Sequence, residues 1–347
     1  MKKLILVILL FFISLSCVSA NNYSKSDGLN WLNSHVSWAS ASIEDVSFAL
    51  LALNSNNYDI TTGLGFLKSR KDTTGCYPTG ACTTKDTALA ALALSELGED
   101  ITNQLNWINQ TLKQADVTGA WIIQIIPGIS TGICTFTHKQ NSQEIEITEP
   151  SSQWIYIQND LSISITDPIE TINVNCDLPS TTKISLIRKV GTSEFHIVQE
   201  ETSNNVDMII NNACYPQTLT STSCNIESSF YVSWALNKLN QEINTLPYLE
   251  DNVNNNLYYT MIQSIDSNQN YITYLISNQN SAGYWTDIYT TSFVINSLKT
   301  DYSSQNAVEN ATSWLEAQQV TTPGENQGSW NNGNVLDTAV ALYLGLT

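Results

Sequence analysis

The sequence predicts a mainly α fold, in which about five helix pairs form two concentric layers and a β-sandwich-like domain is inserted. Two observations carry this prediction. A short phrase ending in Gly-x-Trp recurs, as Gly283-Tyr-Trp285 and Gly328-Ser-Trp330, each time after an amphipathic segment. Such a unit of about 40–50 residues is typical of stacked helix pairs. Between residues 122 and 212 the hydrophobic period changes from 3.6 to 2, which indicates strands.

Residues 1–20 have the composition of a signal peptide. Two lysines precede the apolar run Leu4–Ile13, and Val18-Ser19-Ala20 is a small-residue cleavage site. The run is shorter than the roughly 20 residues of a transmembrane helix. A lipid anchor on Cys17 is the alternative, but Ser14 lies three residues before it, where Leu is usual. We therefore expect a secreted or cell-surface chain without a transmembrane helix.

The net charge restricts the partners of the chain. It is −18, and −20 once Lys2 and Lys3 are removed. This charge repels nucleic acids and anionic membranes, so neither is expected as a partner. The sequence does not identify a ligand or a surface partner.

Three Asn-x-Ser/Thr sequons, at Asn22, Asn109 and Asn310, are glycosylation sites whose use depends on the host.

The cysteines outside the signal peptide number six, and an even count in an exported chain predicts disulfides. The phrase Cys-Tyr-Pro occurs twice, each time with a second cysteine shortly after it. The predicted pairs are Cys76–Cys82, Cys214–Cys224 and Cys134–Cys176. A metal site is the rival interpretation, but the histidines lie far apart in the sequence and no Cys-x-x-Cys pair is present. No metal and no cofactor is expected.

Five apolar runs predict helices that are buried on most sides. They are Asp45–Leu53, Asp86–Leu94, Ser228–Leu236, Thr290–Leu298 and Asp337–Gly345. Each begins with a residue type that caps helix N-termini, so we interpret Asp86 and Asp337 as caps. Under the alternative that the protein is an enzyme, these two are the candidate general acids. Because Ser228 and Thr290 occupy the same place, capping is favoured and no catalytic residue is predicted.

A second, amphipathic helix precedes each Gly-x-aromatic turn. These helices are Leu29–Val36, Leu64–Arg70, Leu105–Leu112, Ile272–Asn278 and Ala307–Gln318. Their apolar stripes carry the aromatic residues Trp31, Phe66, Trp107, Tyr274 and Trp314. Alternation of one buried and one amphipathic helix predicts an inner layer of buried helices and an outer layer of amphipathic ones.

These phrases resemble the α/α-toroid repeats of squalene and hopene cyclases and of protein prenyltransferase subunits. Gln279–Trp285 is similar to the cyclase repeat, Gly328-Ser-Trp330 to the prenyltransferase repeat, and Gly75-Cys-Tyr77 to a degenerate copy. The resemblance covers residues 27–121 and 213–347. It implies an α/α toroid of about five helix-pair repeats, in which Tyr77, Trp285 and Trp330 would staple neighbouring repeats.

The chemistry of these families is not found in the sequence. No Asp-x-Asp-Asp run, the acid of class II terpene cyclases, is present. The Asp, Cys and His zinc ligands of prenyltransferases are not matched either, because the cysteines look paired. Cys76 is followed by Tyr-Pro-Thr and not by the Cys-x-x-Gln spacing of thioester toroids. The resemblance therefore implies a scaffold without the catalytic groups.

Eight short runs between the helical parts predict the β-sandwich. They are Ile133–Thr137, Glu144–Thr148, Trp154–Gln158, Ser162–Thr166, Thr171–Asn175, Lys183–Arg188, Phe195–Gln199 and Asp207–Ile210. Trp154 lies between Cys134 and Cys176, so the third disulfide is expected to cross the sandwich. The predicted organisation is a signal peptide at 1–20, helical repeats at 21–121, the β domain at 122–212 and further repeats at 213–347.

The favoured function is that of an exported, non-catalytic protein for binding or cell-surface interaction. The alternative is an exported enzyme that uses the toroid cavity, such as a glycan-active or a divergent terpene cyclase-like enzyme. Five aromatic residues of the buried helices could line such a cavity. They are Phe48, Phe230, Trp234, Phe293 and Tyr343. Core packing is the interpretation we favour for them.

Overall fold

The fold is described from a computed structural model, which covers residues 23–128, 131–148, 151–179 and 181–347. The predicted signal peptide, Cys17 and the sequon at Asn22 lie outside the described residues. Within those residues, no helix is both long enough and apolar enough to cross a membrane.

Twelve α-helices lie within the described residues. They are α1 (Lys25–His35), α2 (Ile43–Asn54), α3 (Thr61–Ser69), α4 (Thr84–Glu96), α5 (Thr102–Thr111), α6 (Ile226–Lys238), α7 (Leu246–Asn252), α8 (Asn256–Ile265), α9 (Gln269–Ser277), α10 (Ile288–Leu298), α11 (Gln305–Ala317) and α12 (Val335–Val340). A 3₁₀ turn at Tyr302–Ser304 precedes α11, and a π-helical turn at Ala341–Gly345 follows α12.

The even-numbered helices lie at the centre of the helical part. They pack side by side in the order α2, α4, α6, α8, α10 and α12, and α12 packs against α2, so the row closes on itself. Each odd-numbered helix packs against an even-numbered neighbour in sequence. One apolar core joins the two layers, from Leu32 on α1 to Leu342 beyond α12.

The Gly-x-aromatic turns fit this packing because glycine removes a clash. Gly75, Gly283 and Gly328 have φ of +100°, +95° and +94°. A Cβ on Gly328 would lie 2.5 Å from the carbonyl oxygen of Asp27 in α1. The turn can therefore approach the next outer helix only without a side chain at this position.

The aromatic residue of each turn is anchored by hydrogen bonds within its own unit. The backbone N–H of Trp330 donates to the Thr338 hydroxyl at 2.9 Å, and its indole N–H donates to the carbonyl of Leu315 at 2.8 Å. Trp285 makes the equivalent bonds to Thr291 and Leu275. These rings are buried, so the turn is part of the helical core.

A glutamine joins the last turn to the first helix. Gln319 Nε2 donates to the carbonyls of Ser24 at 2.8 Å and Gly328 at 2.9 Å, and its Oε1 accepts the Ser24 N–H at 2.8 Å. Gln279 bridges Gly283 and Ala307 in the same way. The contact between residues 24 and 319 closes the row of helices through a side chain that satisfies buried backbone groups.

The β part contains three antiparallel sheets. Its strands are β1 (Lys113–Gln114), β2 (Ala120–Ile126), β3 (Gly132–His138), β4 (Asn141–Ile147), β5 (Gln153–Tyr156), β6 (Ile169–Asp177), β7 (Lys183–Val190), β8 (Glu194–Thr202), β9 (Asn205–Asn211) and β10 (Ala213–Cys214). Two four-stranded sheets, in the orders β5-β2-β7-β8 and β4-β3-β6-β9, enclose a second hydrophobic core. The short strands β1 and β10 pair where the chain enters and leaves this part.

The predicted fold class is wrong. Within the described residues, helices make up 41% and strands 20%, in three antiparallel sheets, so the β component is too large for a mainly α toroid. The sheets form their own apolar core and are not an appendage of the helices. The expected number of helix pairs was also wrong, because α7 and α8 were missed. The polar residues Thr260, Gln263 and Ser264 interrupt the apolar sequence of α8, so it lacks an all-round apolar run.

Seven of the eight predicted strand runs overlap strands of the structure, and Ser162–Thr166 is irregular. The pattern missed β2 and the two-residue strands β1 and β10. The β2 sequence Ala-Trp-Ile-Ile-Gln-Ile-Ile does not alternate, because Ile122 is fully buried although it points away from the core between the sheets. A strand that is covered on both faces reads as a continuous apolar run.

The structure contains three disulfides, at the pairs that the sequence predicts: Cys76–Cys82, Cys134–Cys176 and Cys214–Cys224. The expected position of the second was wrong. Cys134 on β3 and Cys176 on β6 are direct partners in one sheet, so this bridge joins adjacent strands and does not cross the sandwich. Disulfides persist in oxidising compartments.

One group of possible metal ligands lies within the described residues. The carboxylate of Asp72 lies near Cys76 and Cys82, but these two cysteines form a disulfide and supply no thiolate for a metal.

Candidate binding surface

Asp86 and Asp337 are not the helix caps that the sequence analysis expected. The side chains that accept the hydrogen bond at the helix starts lie three residues earlier. They are Ser42, Thr83, Asn225, Asp287 and Asn334. The recurring Asp, Ser or Thr is therefore the third helical residue, and its backbone N–H donates to the cap. The phrase Ser42-Ile-Glu-Asp45 is a capping box, and this signal could have placed the caps correctly.

The two candidate acids lie on helices that α2 separates. Burial raises the pKa of Asp86, whereas the Thr83 hydroxyl and the charge of Lys85 act to lower it. Burial also raises the pKa of Asp337, and the Asn331 amide, which donates to Asp337 at 2.6 Å, opposes the shift. The pKa of each acid is thus shifted by its own neighbours and not by the other acid. The structure does not bring them together as a catalytic pair.

Alanine at Asn334 is expected to lower the free energy of unfolding by about 1 kcal/mol, because the Asp337 N–H then loses its side-chain acceptor. Alanine at Asp337 removes only a first-turn charge and the bond from Asn331, and should cost about 0.5 kcal/mol. Urea denaturation of both variants measures the difference. A larger loss for Asp337→Ala than for Asn334→Ala would contradict the assignment of the cap.

The centre of the helical ring is filled with aromatic side chains. Phe48 on α2 lies 6.2 Å from Trp234 and 6.0 Å from Phe293, measured between ring centroids, and Trp234 lies 5.0 Å from Phe293. All three are buried. Phe230 is buried too, and Tyr343 is half-buried. These side chains pack as a core, as the favoured interpretation predicted.

A polar network covers this aromatic centre where the even-numbered helices begin. Lys85 forms ion pairs with Glu44 at 2.9 Å and Glu227 at 2.8 Å, and its Nζ lies 4.1 Å from the centroid of the Tyr231 ring. Tyr289 donates to Glu44 at 2.9 Å. Each of these charges has a partner, so the network is a satisfied structural cluster.

The second candidate is the face of the β5-β2-β7-β8 sheet that points away from the sandwich core. In the centre of this face, Ile122 lies opposite Tyr156 on β5 and Ile187 on β7, and Ile187 lies opposite Ile197 on β8. Ile122 and Ile187 are buried although, in the part of the chain that the structure describes, no further sheet covers them. Other side chains on this face must shield them.

The shield includes two aromatic rings from opposite edges of the sheet. The ring of Trp154 on β5 meets the ring of Phe195 on β8 at 5.4 Å between centroids and 74° between planes. The ammonium of Lys189 lies 5.5 Å from the Phe195 ring and 6.0 Å from the Tyr156 ring. Trp154 is 41% exposed and Phe195 46% exposed. We call Trp154, Tyr156, Lys189 and Phe195 the aromatic face.

A row of polar groups continues from Trp154 across the strands. Gln124 is the direct partner of Trp154, Ser185 the partner of Gln124, and Glu200 the partner of Ser185. Glu200 is exposed and is held by Lys183 at 2.8 Å and by the Ser185 hydroxyl at 3.2 Å. The hydrogen bond from Lys183 lowers the pKa of Glu200. The aromatic face is therefore bordered by an amide and an ionised carboxylate.

The sandwich is joined to the helices by a buried ion cluster. Arg188 on β7 is 1% exposed and pairs with Glu250, at 2.7 Å, and with Asp251, both on α7. Its Nε donates to the carbonyl of Thr118 at 3.1 Å, and the Thr118 N–H donates to Asp251 at 2.6 Å. These bonds fix the aromatic face relative to the helical part.

Comparisons of the chain with models of protein families, with curated proteins and with solved structures find no match. No family is therefore shown, and the resemblance to cyclase and prenyltransferase repeats stays an expectation from the sequence. The residues of the aromatic face were not singled out as a site by the sequence. The signal that could have found them is the continuous apolar run of β2, because a buried outward-facing Ile122 requires a cover.

Proposed function

We propose that the protein is an exported, non-catalytic binding protein and that its aromatic face binds a neutral oligosaccharide. The observation that carries this proposal is the exposed pair Trp154 and Phe195, which lies over buried aliphatic side chains. Exposed aromatic rings on a rigid sheet cost little conformational entropy to order, and apolar patches on a soluble chain mark interaction sites. The predicted signal peptide and the three disulfides support export.

The chemistry of the face matches that of a sugar ring. The C–H groups of a pyranose pack against an aromatic ring, and its hydroxyls need partners that both donate and accept. The Gln124 amide, the direct neighbour of Trp154, offers both and already donates to the Ser152 hydroxyl at 2.7 Å, and the Glu200 carboxylate accepts at the far end of the same row. An anionic glycan fits less well, because the chain carries a charge of −18. A neutral glycan is therefore the ligand class that the surface favours.

The enzyme alternative needs an open cavity at the centre of the helices. Phe48, Trp234 and Phe293 occupy that space, and the acids Asp86 and Asp337 lie on helices that α2 separates. No observation on the described residues favours catalysis over binding. Binding by the outer face of the sandwich is therefore the function that we propose.

Replacing Trp154 with alanine is expected to weaken binding to a neutral polysaccharide by about tenfold or more, since aromatic anchors carry most of the binding energy. Affinity electrophoresis of the mature chain in gels that contain β-glucan, mannan or xylan measures the retardation. Phe66→Ala is the matched control, because Phe66 is 39% exposed but lies on α3 in the helical part.

Trp154→Phe should restore part of the retardation, because it keeps an aromatic surface. Melting temperatures of all variants show that the fold is intact. If no neutral polysaccharide retards the native chain, the carbohydrate assignment is wrong. If Trp154→Ala and Phe66→Ala lose retardation equally, the aromatic face is not the binding surface.

A further inference from the structure

A cleft of about 520 Å³ separates the start of strand β8 from helix α7 and from the loop after α8. Phe195, Ile197 and Val198 form one wall, and Leu246 lies on the other side. Glu250 and Asp266 add two carboxylates. The volume is within the roughly 300–1,000 Å³ of ordinary ligand sites. The cleft thus combines apolar walls with negative charge.

The apolar wall of the cleft is an unpaired strand edge. β8 is the last strand of its sheet, so alternate residues point their backbone N–H and C=O groups away from β7. Gln199 uses its side-chain amide to satisfy the Asp207 carbonyl and the Ile209 N–H of β9, both at 3.0 Å. Residues 195–198, which precede Gln199, lie along the cleft, and Ile197 is 63% exposed.

The polar wall has a carboxylate without a donor. Within the described residues the Asp266 carboxylate has no hydrogen bond and no ion pair, whereas Glu250 is held by Arg188 at 2.7 Å and lies 3.5 Å from Nδ1 of His196, which also lines the cleft. A ligand that brings an N–H donor and a positive charge would complement Asp266.

The negative charge of the cleft and the free edge of β8 together favour an extended basic peptide as the ligand. An extended peptide can pair its backbone with a free strand and direct alternate side chains to the two sides. Apolar side chains would meet Ile197 and Leu246, and a basic side chain would reach Asp266. The net charge of −18 attracts a basic partner at long range.

We propose that this cleft binds an extended basic segment of a partner protein, which adds as a strand beside residues 195–198 of β8. A lysine or arginine of that segment pairs with the Asp266 carboxylate. This site differs from the glycan surface because it contains the carboxylates of Glu250 and Asp266 and uses the strand edge, and Phe195 is common to both.

The test uses a fluorescent heptapeptide of alternating lysine and valine and measures its anisotropy with the mature chain. Binding is expected, and N-methylation of alternate backbone nitrogens should abolish it, because the methyl groups block strand pairing but keep charge and apolar surface. A peptide with glutamate in place of lysine should not bind. Equal binding of the methylated peptide, or no binding of the unmodified one, would overturn the proposal.

Asp266→Asn is expected to weaken binding of the unmodified peptide about fivefold, the size of one partly exposed ion pair. Glu309→Gln, which removes one exposed charge on α11, is the matched control and should leave affinity unchanged. Equal losses for both variants would mean that the peptide follows the diffuse charge of the protein and not this cleft, and the proposal would fall.

Discussion

Replacing Arg188 with alanine is expected to lower the free energy of unfolding by about 3–5 kcal/mol. The guanidinium lies between the carboxylates of Glu250 and Asp251, and all three side chains are mostly buried. Alanine leaves two like charges in a site that water reaches poorly. The penalty therefore comes from the unpaired acids more than from the lost attraction. Urea denaturation followed by circular dichroism measures the change.

A matched control lies on the same strand. Lys183 pairs with Glu200, but both side chains are well exposed, so Lys183→Ala should cost less than about 1 kcal/mol. Adding Glu250→Gln and Asp251→Asn to Arg188→Ala should recover part of the stability, because the stranded charges are then removed. Equal losses of stability in Arg188→Ala and Lys183→Ala would contradict the conclusion that the buried ion cluster stabilises the contact between sandwich and helices.

Alanine at Gly328 is expected to destabilise the chain by about 3 kcal/mol, from a left-handed backbone and a backbone clash together. The new Cβ would lie 2.5 Å from the Asp27 carbonyl oxygen, which belongs to the helix at the other end of the chain. The turn and α1 must then move apart. Hydrogen exchange should show faster opening of α1 in addition to the loss of global stability.

The variant Gly98→Ala separates the cost of the left-handed backbone from the cost of the backbone clash. Gly98 also has a positive φ, of +75°, but a Cβ at this position would meet no other atom within 4 Å. This variant should lose only the roughly 1 kcal/mol of the left-handed conformation. If Gly328→Ala costs no more than Gly98→Ala, the close approach of the last turn to the first helix does not contribute to stability.

The arrangement of the two parts bears on both proposed surfaces. β1 and β10 hold the entry and exit of the sandwich together, and the Arg188 cluster fixes its side against α7. The cleft is bounded by β8 on one side and α7 on the other, so its width depends on that cluster. Arg188→Ala should therefore also weaken peptide binding, whereas glycan binding by the aromatic face should change less.

Local patterns were sufficient to place most of the elements. The all-round apolar run at Asp86–Leu94 identified α4, and alternation at Thr171–Asn175 identified β6. The repeated Cys-Tyr-Pro phrase indicated the two short disulfide loops. These features depend on side chains that are close in the sequence, so the period and spacing of the residues are enough to predict them.

The helix caps show where residue type alone is misleading. Asp86 and Ser228 have side chains that suit a cap, but each lies at the third helical position. The side chains that accept their N–H groups belong to Thr83 and Asn225, three residues earlier. The cap is therefore shifted by three residues from the predicted position. A local sequence signal for the correct position exists at α2, where Ser42 and Asp45 form a capping box.

The fold class, the sheet that holds the third disulfide and the candidate surfaces depended on tertiary contacts. Cys134 and Cys176 could have crossed the sandwich or joined neighbours, and only strand order decided between them. Trp154 and Phe195 lie 41 positions apart in the sequence and meet over a face in which two other strands lie between theirs. The sequence by itself determined most of the helices and strands, because that choice is largely made over a few residues. Tertiary structure alone decided which distant side chains share a surface, because that depends on the order in which strands and helices pack.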